Sequence, residues 1–349
     1  MGRKLLWASL ALAPVTIVLN YVFHVGDVTL FVFSAGSLVP LAWLIGEATE
    51  HAGEHTGPGI GGFLNASFGN APELIIALFA IADGLPNVVR GSLTGSIVSN
   101  LLLVLGVALA AGADGKRRLD RRSLLGQVGL VLVAVLLFLD PSVPSWTGNP
   151  DRHSLAIATA PVAVVLLLVY VVERAWGLRR HHRLHAESDT EKSDGWTLPW
   201  ALAALAAATA VTAFVSESLI HTLDAFSHSV GLSQFFTAAV IVAIVGNAAE
   251  HGGAIVIARR GNLRLASEIA VSSAAQVALL VTPAVALLSW IVKPALPLSF
   301  RPIELGTMGA SAVAVALVVR DGRVSRREGL LLIGLYVLAA TGYFIAGDP

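Results

Sequence analysis

Two short stretches of this sequence carry groups that could do chemistry. Gly69-Asn70-Ala71-Pro72-Glu73 and Gly246-Asn247-Ala248-Ala249-Glu250 are near-copies of one pattern, each set in an otherwise apolar run. An ionisable residue at the centre of a membrane helix costs roughly 2.5–3.5 kcal/mol on insertion scales, so it marks a functional site by default. Glu73 and Glu250, brought together from opposed helices, could bracket one divalent ion. The amides of Asn70, Asn247, Asn100 and Gln276 and the hydroxyls of Ser99, Ser272 and Ser273 would complete an all-oxygen ligand set. A hard cation such as Ca2+ suits that set better than a thiophilic metal. The chain has no Cys, which excludes thiolate sites and disulfides.

The same carboxylates suggest proton coupling. Without a metal they repel each other, are poorly solvated, and tend to hold protons. A divalent ion reverses the local field and expels them. Metal and protons then compete for the same oxygens. The empty, charged site reorients poorly because an unpaired charge in the membrane is costly. Together these predict antiport, with two H+ per divalent ion if the two carboxylates alone carry protons. Ca2+ is here a transported substrate, and no cofactor is expected.

The glycines and asparagines say how such a site is held. Gly permits unusual dihedrals, Asn bonds locally in place of the helix ladder, and Pro72 suits the first turn of a restarted helix. The third span is therefore expected to break at Gly69-Asn70 and resume near Pro72. A matching break is expected at Gly246, gentler because that copy lacks Pro. Broken backbone at membrane depth is tolerated only inside protein or along a wet cavity.

The elements that position these groups are membrane helices. Of 349 residues, 55% are apolar and 13% charged, against roughly 25% charged in soluble domains. The apolar runs read as eleven spans, near 5–23, 29–53, 60–82, 87–111, 123–139, 154–173, 198–221, 233–258, 265–290, 302–319 and 329–346. With a cytoplasmic N-terminus, 19 of the 23 Lys and Arg fall in cytoplasmic segments, and only Arg90, Arg152, Lys293 and Arg301 lie outside. That bias predicts an N-in, C-out orientation. Downstream of the paired motifs, Ser96 aligns with Ser272 and Asn100 with Gln276; Glu73 to Asn100 is 27 residues and Glu250 to Gln276 is 26. Each repeat unit has an odd number of spans, so the copies enter the membrane from opposite sides. The expected fold is an all-α polytopic membrane protein of 1 + 5 + 5 helices. It comprises an extra N-terminal helix (1–28), a first five-helix repeat (29–173), a cytoplasmic linker (174–197) and a second repeat (198–349).

Other ionisable groups cluster nearby. Glu47, Glu50 and Glu54 share one helix face, and with His51 and His55 could form a cation or proton path. Thr49-Glu50 has a looser counterpart in Ser216-Glu217. His251 and His221 lie near the second motif, and Glu268 and Glu304 are expected at interfaces. His51-Ala52-Gly53-Glu54-His55 also fits H-x-x-E-H, a zinc-protease spacing, but that reading leaves the paired motifs unexplained.

GNAPELIIA, GSIVSNLLLVLG, GNAAEH and SSAAQVALLVTP resemble the cation/proton exchangers of the cation/Ca2+ antiporter superfamily. The resemblance covers most of residues 40–106 and 212–283. It implies Ca2+/H+ antiport driven by the proton gradient, with Glu73 and Glu250 as the main cation carboxylates and Asn70, Asn247, Asn100, Ser99, Ser272 and Gln276 nearby. The amides at Asn100 and Gln276 favour that branch over Na+/Ca2+ exchange, the main alternative. The lipid bilayer, Ca2+ and H+ are the expected partners, with no nucleic acid. A homo-oligomer is compatible with the sequence, and its composition suggests a prokaryotic plasma membrane.

Overall fold

The computed structural model describes residues 2–112, 119–147, 151–184 and 195–347. Two short helices, α1 (Gly2–Ser9) and α2 (Leu12–Tyr21), form the first apolar stretch. It is held by the Thr16 and Ser37 hydroxyls at 2.8 Å and by Asn20 Nδ2, which donates to Ser218 Oγ.

The next helix, α3 (Asp27–Gly69), joins what the sequence reading separated into two spans. It is not straight. In a straight helix residues eight apart lie about 12 Å apart, yet a Cβ on Gly61 would sit 2.8 Å from the Gly53 Cα. The chain therefore reverses between these glycines, with helix on both sides of the reversal. Their missing side chains permit the close approach, so the gap expected between the second and third spans is a tight reversal.

After a one-residue break come α4 (Ala71–Ala82), α5 (Pro86–Val98), a π-helical segment (Ser99–Val104) and α6 (Leu105–Gly112). Two long helices follow, α7 (Arg121–Trp146) and α8 (Arg152–Leu184). α8 extends well into the segment expected to be linker; the linker's residues 185–194 lie outside the described residues. The second half begins with α9 (Leu198–Ser229), α10 (Gln234–Phe236), a second π segment (Thr237–Val242) and α11 (Ala243–Gly246). It continues with α12 (Ala248–Arg259), α13 (Leu263–Gln276), a third π segment (Val277–Val281), α14 (Thr282–Val292), α15 (Pro302–Val319) and α16 (Arg326–Ala346). Among the described residues nine helices are long and apolar enough to cross a membrane. The count is ten if the pair Gln234–Gly246 and Ala248–Arg259, bent by 59°, is one span.

Packing relates the halves. α3 lies along α9 and α7 along α15, while α6 packs on α16 as α14 packs on α8. Exchanging the halves maps each pairing onto itself or onto its partner. Where α5 meets the second π segment the backbones nearly touch, and a Cβ on Gly95 would collide with the Ala239 carbonyl. Glu304, expected at an interface, is fully buried. Arg301 lies one turn before it and supplies the compensating charge at 2.6 Å, while Arg90 of α5 stands 3.8 Å away.

Candidate cation site

Both breaks fall where the paired motifs put them. α3 ends at Gly69 and α4 starts at Ala71; α11 ends at Gly246 and α12 starts at Ala248. The residue between is Asn in each case, with φ −100°, ψ 14° at Asn70 and φ −92°, ψ 10° at Asn247. The second break is thus no gentler than the first. Gly-Asn sets the interruption; Pro72 occupies the first turn of α4, where its missing N–H is not needed.

Each restart puts its carboxylate in the first helical turn, Glu73 in α4 and Glu250 in α12. There the positive end of the helix dipole favours an anion. The side chains cross over. A Cβ on Gly69 would lie 3.7 Å from Glu250 Oε1, and one on Gly246 would lie 3.8 Å from Glu73 Oε1. Each glutamate therefore reaches the glycine of the opposite motif, and the two carboxyl groups flank one centre.

Amides knit the surroundings together. Asn70 Nδ2 donates to Gln276 Oε1 at 2.9 Å. Asn100 Nδ2 donates to Asn247 Oδ1 (3.3 Å) and Ser273 Oγ (3.0 Å). Asn247 Nδ2 donates to Ser96 Oγ and to the Ala243 carbonyl, both at 2.9 Å. These donors are spent on protein, whereas Glu73 Oε2, Glu250 Oε2 and Asn100 Oδ1 are buried without a hydrogen-bond partner among the described residues. All three can only accept, unless a carboxyl group is protonated. Buried acceptors of this kind call for a cation or protons.

Not every expected ligand faces this centre. The Ser99 hydroxyl donates back to the Ser96 carbonyl and that of Ser272 to Ile269, each at 3.3 Å. Ser272 lines a separate small recess with Gln127 and Tyr170. Ser96, not expected as a ligand, and Ser273 are the hydroxyls in the network. The offset that carries Gly69 onto Gly246 also carries Ser96 onto Ser273, so aligning Ser96 with Ser272 was one residue out.

A cavity of about 600 Å³ reaches the site from one side, lined by Trp43, Glu47, Thr49, Glu50, Gly69 and Glu250 among others. Glu50 thus stands on a path to Glu250. Glu217, its counterpart, is half-buried and lies outside this cavity, as does buried His251. The H-x-x-E-H residues do not converge on a metal: His51 Nδ1 meets Glu54 Oε2 at 3.0 Å, and His55 Nε2 meets the Trp196 carbonyl at 2.7 Å. His221 Nε2 meets Asp83 Oδ2 at 3.1 Å.

Comparison with known proteins fits this architecture. The family model described as sodium/calcium exchanger protein matches residues 27–176 and 200–344. The chain is 36% identical to the Ca2+/H+ antiporter ChaA of Bacillus subtilis (strain 168), over 94% of this chain and 95% of that one. It is 32% identical to a Ca2+/H+ antiporter of Aphanothece halophytica, over 98% of this chain and 96% of that one. The solved structure of native YfkE has a TM-score of 0.83 and 32% identity, covering 99% of this chain and 100% of that one. With broken helices in both halves and a family match across most of its length, the chain belongs to the sodium/calcium exchanger protein family.

Proposed function

We propose that this protein exchanges Ca2+ for H+ across a membrane by alternating access, with Glu73 and Glu250 binding the cation and the protons in turn. One observation carries the reading: two buried carboxylates cross over at the opposed helix breaks, each with an oxygen lacking a protein partner. Asn100 Oδ1 adds a third such acceptor, and Asn70, Asn247, Gln276, Ser96 and Ser273 hold the frame. A Ca2+ bound between two carboxylates leaves no net charge in the site, and neither do two protons. Exchange of one Ca2+ for two H+ is then electroneutral.

The relatives at 32–36% identity described above are named Ca2+/H+ antiporters, which supports H+ over Na+ as the counter-ion. The span arrangement is 1 + 5 + 5. Residues after the reversal at Gly53 and Gly61, continuing through α4, make the crossing beyond those long enough to be counted alone. Residues 1–28, 29–173 and 198–349 are the extra helix, first repeat and second repeat, and 174–197 connect the repeats, beginning as the end of α8. Both Lys/Arg bias and the bacterial relatives favour a prokaryotic plasma membrane with the N-terminus inside and the C-terminus outside.

The test is radiolabelled Ca2+ uptake into proteoliposomes under an imposed pH gradient. Wild type takes up Ca2+ with the gradient and stops when an ionophore collapses it. Glu73→Gln and Glu250→Gln each lose uptake. Uptake in either variant at the wild-type rate, or uptake by wild type that requires Na+ at constant pH, would remove this proposal.

A further inference from the structure

The two sides of the site are unequal. On the side of Glu50 the cavity reaches Glu250. Three residues that correspond to its lining on the other side are packed shut: Glu73 for Glu250 is 3% exposed, Ile76 for Gly253 is 1% and Ile220 for Gly53 is 1%. One mouth is open and its symmetry mate is closed.

At the closed mouth, beyond the two isoleucines, Asp83 in the turn after α4 meets His221 of α9 at 3.1 Å. The turns after α4 and α12 match residue for residue. Gly84 and Gly261 hold the same position, with φ 71° and 95°, and α5 and α13 restart two residues later. Asp83 therefore corresponds to Arg260. On the long helices Thr49-Glu50 corresponds to Ser216-Glu217, so His221 corresponds to Glu54. The acid and the base have changed places, yet the complementarity is preserved. All four residues are exposed, and the mouths differ in pairing: at the open mouth Glu54 bonds His51 within its own helix instead of a group on the turn after α12.

We infer that Asp83–His221 and Glu54–Arg260 are alternate gate pairs, one closing each mouth, and that they form in turn during the transport cycle. This rests on the alternating-access reading above. Shutting the open mouth requires the turn after α12 to approach α3 as the turn after α4 now approaches α9. The closed mouth is backed by Ile76 and Ile220, whereas the open one has Gly253 and Gly53 in their places. Without apolar side chains to exclude water, that mouth closes less firmly. A Cβ on Gly53 would lie 3.2 Å from the Gly61 Cα and force that backbone to yield, but a Cβ on Gly253 meets nothing within 4 Å.

The chain has no cysteine, so introduced pairs supply its only thiols. The experiment bridges Asp83→Cys/His221→Cys and, separately, Glu54→Cys/Arg260→Cys in proteoliposomes with a short bifunctional maleimide, read as a gel shift and as Ca2+ exchange. Both pairs are expected to bridge, and either bridge abolishes exchange. In the four-cysteine variant, closing one pair suppresses bridging at the other. Gly253→Ile, added to Asp83→Cys/His221→Cys, slows bridging several-fold by favouring closure of the opposite mouth. Failure of Glu54→Cys/Arg260→Cys to bridge while each thiol still reacts singly with maleimide would overturn the proposal. So would both bridges in the same molecules, unchanged exchange after bridging, or unchanged bridging in the Gly253→Ile variant. The gel shift is independent of the ion carried. Exclusive bridging in variants that exchange no Ca2+ would leave the gates standing and remove the ion assignment.

Discussion

Asn247→Ala tests whether the amide network organises the cation site or merely glues helices. The substitution deletes two interhelical hydrogen bonds, Asn100 Nδ2 to Asn247 Oδ1 and Asn247 Nδ2 to Ser96 Oγ, and one to the Ala243 carbonyl four residues back. Interhelical hydrogen bonds in membrane proteins average about 0.6 kcal/mol and reach about 1.7. The two interhelical bonds are therefore worth about 1–3 kcal/mol together. Asn100 keeps Ser273 as a partner and the Ala243 carbonyl stays in α11, but buried Ser96 Oγ loses its Asn247 donor, so the total cost to folding lies above that sum. If that energy positions Asn100 Oδ1 and Glu250 for the ion, its loss weakens Ca2+ binding by about 5- to 140-fold at 1.4 kcal/mol per decade. The assay is thermal unfolding of purified protein with and without Ca2+. A ligand at 100 times its Kd stabilises by about 2.7 kcal/mol; a tenfold weaker Kd at the same concentration leaves about 1.4 kcal/mol. Asn247→Ala should thus unfold earlier without Ca2+ and gain less from it. A variant that unfolds earlier but gains as much from Ca2+ as wild type would refute the organising role.

Two further predictions separate neighbouring residues. Ser273→Ala, which removes an acceptor from the Asn100 amide, should weaken Ca2+ binding, whereas Ser272→Ala should leave it near wild type because its hydroxyl bonds Ile269; titration of Ca2+-dependent uptake tells them apart, and equal effects would count against the assigned hydroxyl. Gly95→Leu should prevent assembly of α5 against the second π segment, because even a Cβ collides with the Ala239 backbone. It should be seen as loss of the monodisperse peak in size-exclusion chromatography, and a well-behaved, active Gly95→Leu protein would contradict that packing.

What the sequence reveals depends on how local the determining physics is. The helix breaks at Asn70 and Asn247 were readable because Gly and Asn weaken the ladder where they stand. The recurrence of Asn70 as Asn247 was readable because both halves repeat it, but the hydrogen bonds that join Asn70 to Gln276 and Asn100 to Asn247 were not. The reversal at Gly53 and Gly61 was not, since those glycines act by meeting each other, a contact that spacing does not disclose. Nor was the choice of Ser273 over Ser272. One residue along a helix turns a side chain by about 100°, and the spacings of 27 and 26 residues left the register uncertain by that amount. Burial of Glu304 was missed because one of its two charged partners, Arg90, comes from the distant helix α5, although the other, Arg301, caps Glu304's own helix. Inequality of the two mouths was written in Ile76 and Ile220 against Gly253 and Gly53, but it acquires meaning only once the cavity is seen.

Magnitudes explain why a site so built must travel loaded. A helix N-terminus stabilises an adjacent anion by about 0.3–1 kcal/mol, and by about 2 kcal/mol in favourable, partly buried geometry. A charged residue at mid-membrane costs roughly 2.5–3.5 kcal/mol. Glu73 and Glu250 each sit in the first turn of a restarted helix, so each recovers part of that cost and neither recovers all of it. Their mutual repulsion adds to the remainder, because both carboxyl groups flank one centre. The dipoles keep the carboxylates able to ionise when a cation arrives, while the deficit leaves the doubly charged empty site uphill. Two protons or one divalent cation removes it. On the proposed assignment of Glu73 and Glu250, the broken helices do more than expose oxygen: they would hold the site near the balance point at which either ligand can displace the other.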